Sequence, residues 1–212
     1  MDKLEFFATP IWREERPEFL KQLIKSTNFY IKEAKKRNKK ISRKLKDFGF
    51  PHHSTTLTHD QNFKEFHDYV GKQALSFLDE SGFNMKQYTL FFSESWVQEF
   101  AKNGGGHHST HVHWNTHVNG FYFLKCNEET SYPIFHDPRT GARTTKLSRK
   151  TEEISSGSEI IHATPAPGTL ILFPGYLEHE FTLDHGKSPF RFIHFTLQAI
   201  PKGMSKYHGE NN

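Results

Sequence analysis

The 212-residue sequence predicts a mainly β protein with helices in front, a β-sandwich or a jelly roll. Three observations lead there. From Lys86 onward, short apolar runs alternate with Gly/Pro turns, whereas the first ~80 residues carry helical spacing. The composition adds a third: only 34% of residues are hydrophobic, yet 21 are Phe, so the core must rest on large rings.

The chain opens with a short extended segment at Leu4–Phe7. Pro17 sits where a helix can begin, and Phe19, Leu20, Leu23, Ile24, Phe29 and Ile31 give it an uneven apolar stripe. Phe48 to Thr55 reads as loop. A second helix has Asp60 as N-cap, Phe63, Phe66, Val70, Ala74, Phe77 and Leu78 on one face, and Gly82 as its stop. Strands follow at Tyr88–Phe100, His111–Leu124, Tyr132–His136, Thr169–Phe173, Glu178–Leu183 and Phe190–Ala199. Pro138–Pro167 is a long polar loop with Arg139, Arg143, Lys146, Arg149 and Lys150, read either as a lid over a site or as a mobile connection. One domain, 1–212, accommodates all of this, with a helical part at 1–85 packed on a β core at 86–200.

Composition excludes several classes. No stretch approaches the ~18 apolar residues of a membrane span, and the N-terminus lacks a basic region followed by an apolar one. The single cysteine, Cys126, fits a reducing compartment, so a cytoplasmic location is expected, in a bacterium or a phage-infected host cell. The chain has 28 basic and 24 acidic residues, but nine of the basic ones and one acid lie between Lys32 and Lys46. Elsewhere 19 basic residues face 23 acidic ones, so a nucleic-acid partner is not favoured; the run reads as a solvated helix end.

The 15 histidines cluster, and the densest stretch is Gly104-Gly-Gly-His-His-Ser-Thr-His-Val-His-Trp-Asn115. On a strand, His111 and His113 share a face and could present two imidazoles to one ion. A third follows at His179, beyond the strand Gly168–Phe173 and a Pro-Gly turn. Arg191 opens the apolar strand Arg191-Phe-Ile-His-Phe-Thr-Leu197 and needs an anion there, either a ligand or a structural partner such as Asp137, Glu178 or Glu94. Three ligands on one side of an octahedral Fe(II) leave three positions open, two for a 2-oxo acid and one for dioxygen. A far carboxylate on that acid would then call for a cation such as Arg191.

At these residues the sequence resembles the 2-oxoglutarate/Fe(II)-dependent oxygenases, specifically the prolyl-hydroxylase-like subgroup found in bacteria and their phages. The resemblance rests on His111-Val-His-Trp-Asn115, Asn119-Gly-Phe-Tyr-Phe-Leu124, His136-Asp-Pro-Arg139, Gly168 through His179, and Arg191. Phe6 to Trp12 and Phe50 to Ser54 extend it over nearly the whole chain. It implies a double-stranded β-helix (jelly-roll) core and oxidative decarboxylation of 2-oxoglutarate coupled to hydroxylation of an unidentified substrate, an amino-acid side chain in a protein or peptide. It further implies Fe(II) on His111, His113 and His179, and the cosubstrate on Arg191, with Tyr122, Asn115 and Thr196 as further contacts. The usual second ligand is Asp or Glu where this chain has His113, which leaves room for a carboxylate from Asp137 or Glu178. Phe123 stands where related hydroxylases have a cosubstrate-binding tyrosine, so that contact is either missing or moved to Tyr122. Two other readings share the pattern: a cupin-type metal protein that uses no 2-oxo acid, and a non-catalytic jelly-roll interaction module.

Overall fold

A computed structural model describes residue 2 and residues 7–144, 147–148 and 153–204. Its elements in order are β1 (Trp12–Glu15), α1 (Leu20–Arg37), α2 (Lys39–Lys44), β2 (Pro51–His53), α3 (Lys64–Glu80), β3 (Tyr88–Phe100), β4 (His108–His111), β5 (Val118–Lys125), β6 (Pro133–His136), α4 (Thr140–Thr144), β7 (Ile160–His162), β8 (Thr169–Pro174), β9 (His179–Phe181) and β10 (Arg191–Pro201). They build a jelly roll from two antiparallel sheets. The larger runs β1-β8-β5-β10-β3-β2 and the smaller β4-β9-β6-β7.

The helices form for the reasons their sequence gives. Pro17 starts a 3-10 turn that leads into α1, which buries Leu23, Thr27, Ile31 and Ala34 at helical spacing. Asp60 accepts from the Asn62 N–H and caps the short turn before α3. At the far end of α3, Gly82 takes φ +94°, and the Phe83 N–H reaches back to the Leu78 carbonyl. Both helices cover one face of the large sheet through Leu23, Phe66, Val70 and Phe77 against Val97, Tyr122, Ile193 and Phe195. Gly120 permits that approach, because a side chain there would overlap the Phe195 ring.

The other face of the large sheet looks at the small sheet. Strand alternation sends Trp96 and Gln98, Phe121 and Phe123, Phe173, and Phe192 and His194 inward, while Val97, Tyr122, Ile193 and Phe195 face the helices. Phe121, Phe181 and Phe192 form the centre of this second core, with ring centroids 4.6–5.7 Å apart.

Several sequence expectations change. The run His111–Leu124 is two strands, because β4 ends at His111 and a turn carries His113 to Asn115 before β5 begins. The Phe48–Thr55 loop holds β2, and the 138–167 loop holds α4 and β7. The extended start at Leu4–Phe7 lies mostly outside the described residues, as do Lys146, Arg149 and Lys150; β1 begins later, at Trp12. His179 and Arg191 stand in different sheets: His179 pairs with His111 and Phe135 in the small sheet, Arg191 with Glu99 and Lys125 in the large one. Among the described residues no helix is long and apolar enough to cross a membrane.

Candidate metal centre

Three elements meet where β4 ends. His111 is the last residue of β4, His113 lies in the turn that follows, and His179 opens β9, directly opposite His111. One ring nitrogen from each of the three lies within 4.8 Å of the others, close enough to hold one metal ion. The i, i+2 face-sharing of a strand is therefore not the cause. Strand pairing fixes His111 against His179, and the turn folds His113 back onto them.

That turn is pinned on several sides. The Gly175 N–H donates to the His117 carbonyl at 3.0 Å, and the His117 N–H to Leu197 at 2.9 Å. The Thr116 hydroxyl donates to the His113 carbonyl at 3.2 Å. Asn115 takes φ +56°, a left-handed conformation that asparagine tolerates. A side chain at Gly175 would overlap the Thr116 carbonyl, so glycine lets the β8–β9 connection, which carries His179, lie against the turn that carries His113.

Hydrogen bonds also set the tautomers. A carbonyl only accepts, so His111 Nδ1 donates to Ser109 at 2.6 Å and His179 Nδ1 donates to Leu177 at 2.9 Å. Both rings then turn a lone pair on Nε2 toward the cluster. Nε2 of His113 and of His179 is buried with no partner. Burial holds His113 down to about 4 and His179 to about 3, so both are neutral at pH 7, the form that ligates metals. The donor set, its tautomers and its two orphaned nitrogens fit a divalent transition metal. Phe121, Phe135 and Phe173 close around His179.

The carboxylates considered as alternative ligands are committed elsewhere. Asp137 holds the Arg139 guanidinium at 2.8 Å and Glu178 holds Arg143 at 2.9 Å. Among the described residues the assembled group is three imidazoles.

The residues expected to bind an acid separate. Arg191 is 4% exposed and points to the helix side, not to the triad. Its Nε donates to Glu99 at 2.7 Å, and Nη1 reaches Asn28 and Thr27 on α1 at 2.8 and 3.3 Å. Glu99 also takes Lys35 at 2.6 Å, and the two cations hold its carboxyl below the usual range against the opposing effect of burial. Arg191 is thus the structural ion pair that was its alternative reading, with Glu99 as partner. Tyr122 faces the same way and donates to the Arg16 carbonyl at 2.6 Å; burial raises its pKa. Phe123 is the residue that points inward. Asn115 is exposed in its turn, and its neighbour Trp114 is 88% exposed. Only Thr196 of these candidates stands on the inner face, buried, with its hydroxyl 2.7 Å from Ser93 Oγ.

Sequence reasoning passed over two residues on that face. His194, 1% exposed, lies between Trp96 and His113 with ring centroids 4.5 Å from each, and neither of its nitrogens has a partner. Burial, reinforced by the neighbouring imidazoles, pushes its pKa far down. Asn119 is fully buried, and both of its amide atoms lack partners. A polar residue at every second position of β10, His194 and Thr196, was the available signal.

Residues 94–194, from β3 to β10 and including the triad, match the family described as "Putative 2OG-Fe(II) oxygenase". A Pseudomonas putida prolyl-4-hydroxylase superposes with a TM-score of 0.55 at 9% identity, over 90% of this chain and 94% of the other. A viral collagen prolyl hydroxylase from Paramecium Bursaria Chlorella virus-1 gives 0.52 at 12% identity, over 90% and 96%. An oxygenase-family protein from Burkholderia pseudomallei gives 0.42 at 13% identity; the match takes 67% of this chain and only 54% of that one. No curated protein sequence matches.

Proposed function

We propose that the chain, whose residues 94–194 match a 2-oxoglutarate/Fe(II) oxygenase family, is such an oxygenase and hydroxylates an amino-acid side chain in a protein or peptide, with Fe(II) held by His111, His113 and His179. The observation that carries this reading is the meeting of three imidazoles, two with buried and unpartnered Nε2 atoms, inside the segment that matches the family. The likeness to two prolyl hydroxylases over nine-tenths of the chain supports the substrate class.

The matched family brings Fe(II) and 2-oxoglutarate. The bound metal supplies dioxygen activation: 2-oxoglutarate, dioxygen and a C–H substrate become succinate, carbon dioxide and the hydroxylated product. The chain itself contributes three things. His111 and His179 present fixed Nε2 lone pairs because their Nδ1 protons are tied to Ser109 and Leu177. The turn fastened at His117 and Gly175 places His113. The Phe121, Phe135 and Phe173 rings exclude water on the buried side. With His113 in place of a carboxylate, the ligand set is neutral, and the ion keeps its full charge.

The test is anaerobic addition of Fe(II) and 2-oxoglutarate to the purified protein. A weak visible metal-to-ligand band, lost in His179→Ala, and succinate formation in oxygen are expected. If neither band nor succinate appears, the reading fails. Arg191→Ala does not separate an oxygenase from a cupin-type protein, since the guanidinium anchors α1.

A further inference from the structure

The inner face beside the triad lacks a cation from Arg191, yet it carries buried polar atoms that nothing in the protein satisfies. Asn119 and Thr196 are directly paired across β5 and β10, and His194 is two residues from Thr196 on the same face. The Asn119 side chain shares its direction with Phe121, whose ring lies 5.7 Å from His179 and 5.4 Å from His194. Its amide offers two donors and an acceptor, none of them used, with no exposure to solvent. Ser93 can spend its one proton on the Thr196 carbonyl or hydroxyl oxygen, which frees the Thr196 hydroxyl proton. The His194 ring, whose two nitrogens are buried and unpartnered, adds a further N–H. Buried amides and imidazoles left unpaired are rare in native proteins, and so many around one spot mark a place where a small polar molecule belongs. Nearby charge is spoken for: Arg191 by Glu99, and Lys35 by the same carboxylate.

We propose that the far carboxylate of the 2-oxo acid is held by neutral donors, the Asn119 amide and the Thr196 hydroxyl with the His194 N–H beside them, and not by a guanidinium. The proposal deepens the oxygenase reading and rests on it. Its consequence is specificity. A carboxylate buried without a counter-cation is costly, so the pocket gains little from the acid's second charge. An uncharged amide in that place is also matched, its oxygen accepting from these donors and its N–H groups donating to Asn119 Oδ1 or a His194 ring nitrogen. The site therefore discriminates weakly between 2-oxoglutarate and 2-oxoglutaramate, where a guanidinium fork would reject the amide strongly.

The experiment is anaerobic titration of the Fe(II)-loaded protein with 2-oxoglutarate, 2-oxoglutaramate and 2-oxobutyrate, following the metal-to-ligand band. Affinities for the first two should agree within about tenfold, an order set by neutral hydrogen bonding. Asn119→Leu should weaken both by about tenfold while leaving 2-oxobutyrate, which has no far polar group, unchanged. The 2-oxobutyrate titration reports that the variant is folded; if Asn119→Leu does not fold, Asn119→Asp replaces it and should selectively repel 2-oxoglutarate. Arg191→Lys should leave all three affinities within about twofold. A selective loss of 2-oxoglutarate in Arg191→Lys, or an unchanged profile in the Asn119 variant, overturns the neutral pocket alone. Absence of a band with all three acids in the unsubstituted protein overturns the oxygenase reading and this proposal together.

Discussion

The two faces of the large sheet treat buried polar groups in opposite ways. On the helix face Arg191, Tyr122 and His67 are matched. Arg191 has Glu99, Asn28 and Thr27, Tyr122 has the Arg16 carbonyl, and His67 has Ser95 Oγ at 3.0 Å. Across the sheet, His113, His179, His194 and Asn119 keep unpartnered atoms. Two buried histidines make the contrast sharp: His67 is 7% exposed and hydrogen-bonded, His194 is 1% exposed and not. The first face is built to be stable alone, the second to be completed by what binds. Unsatisfied groups there cost stability now and return it as affinity later.

Breaking the helix face should cost the most. Glu99→Ala leaves the Arg191 guanidinium buried without its carboxylate, and should destabilise the fold by about 3–5 kcal/mol in denaturant unfolding. Fe(II) affinity of the folded protein should stay unchanged, and a parallel loss of iron binding would show the two faces are not separable.

Acidification comes next. Burial holds His67 at about 4, against an ordinary 6.5, so on lowering pH the unfolded chain takes its proton first. The stability His67 contributes is complete above pH ~6.5 and drains as pH falls toward about 4, by about 3 kcal/mol in all. Urea unfolding of metal-free protein at several pH values should show a shallower acid decline in His67→Gln than in the parent. Identical slopes would place the acid sensitivity elsewhere.

On the inner face, His179→Ala should lower Fe(II) affinity by about 100-fold, roughly 2.7 kcal/mol, with a thermal midpoint close to that of the parent. Equilibrium metal titration with a competing chelator reads this directly. The smallest effect concerns alignment alone. Gly175→Ala forces the His113 turn away from the β8–β9 connection, and should weaken Fe(II) by about tenfold with all three imidazoles still present. An unchanged affinity would mean that the turn yields without moving His113.

Legibility in the sequence followed the same division. Helices and strands announced by periodicity, such as α3 with its Asp60 cap and Gly82 stop or the thirteen-residue β3, were readable because their signals are local. The histidines that come together were readable as a group by residue type. Their arrangement was not, because it depends on β4 ending at His111 and on β4 pairing with β9, contacts made over 68 residues of chain. Arg191 misled for a related reason. A guanidinium in an apolar strand does demand an anion, but which face it takes depends on the phase of β10, and one strand read by itself does not reveal its inward face. His194 and Thr196 share a phase opposite to that of Arg191, so a site that uses the former must exclude the latter.

The pairing of β10 carries two irregularities, one against β3 between Thr196 and Leu197 and one against β5, where the extra residue belongs to β5. Between Arg191 and Phe192 the pairing of β10 with β5 shifts, and Leu124 is left without a partner. A one-residue insertion or deletion in the 184–190 connection that moved β10 by one step would turn Arg191 to the inner face and send His194 out toward α1. A point substitution at His194 or Thr196 changes one donor and leaves the phase of the strand as it is. Libraries that vary the length of 184–190 are the direct way to ask which face of β10 the site can use.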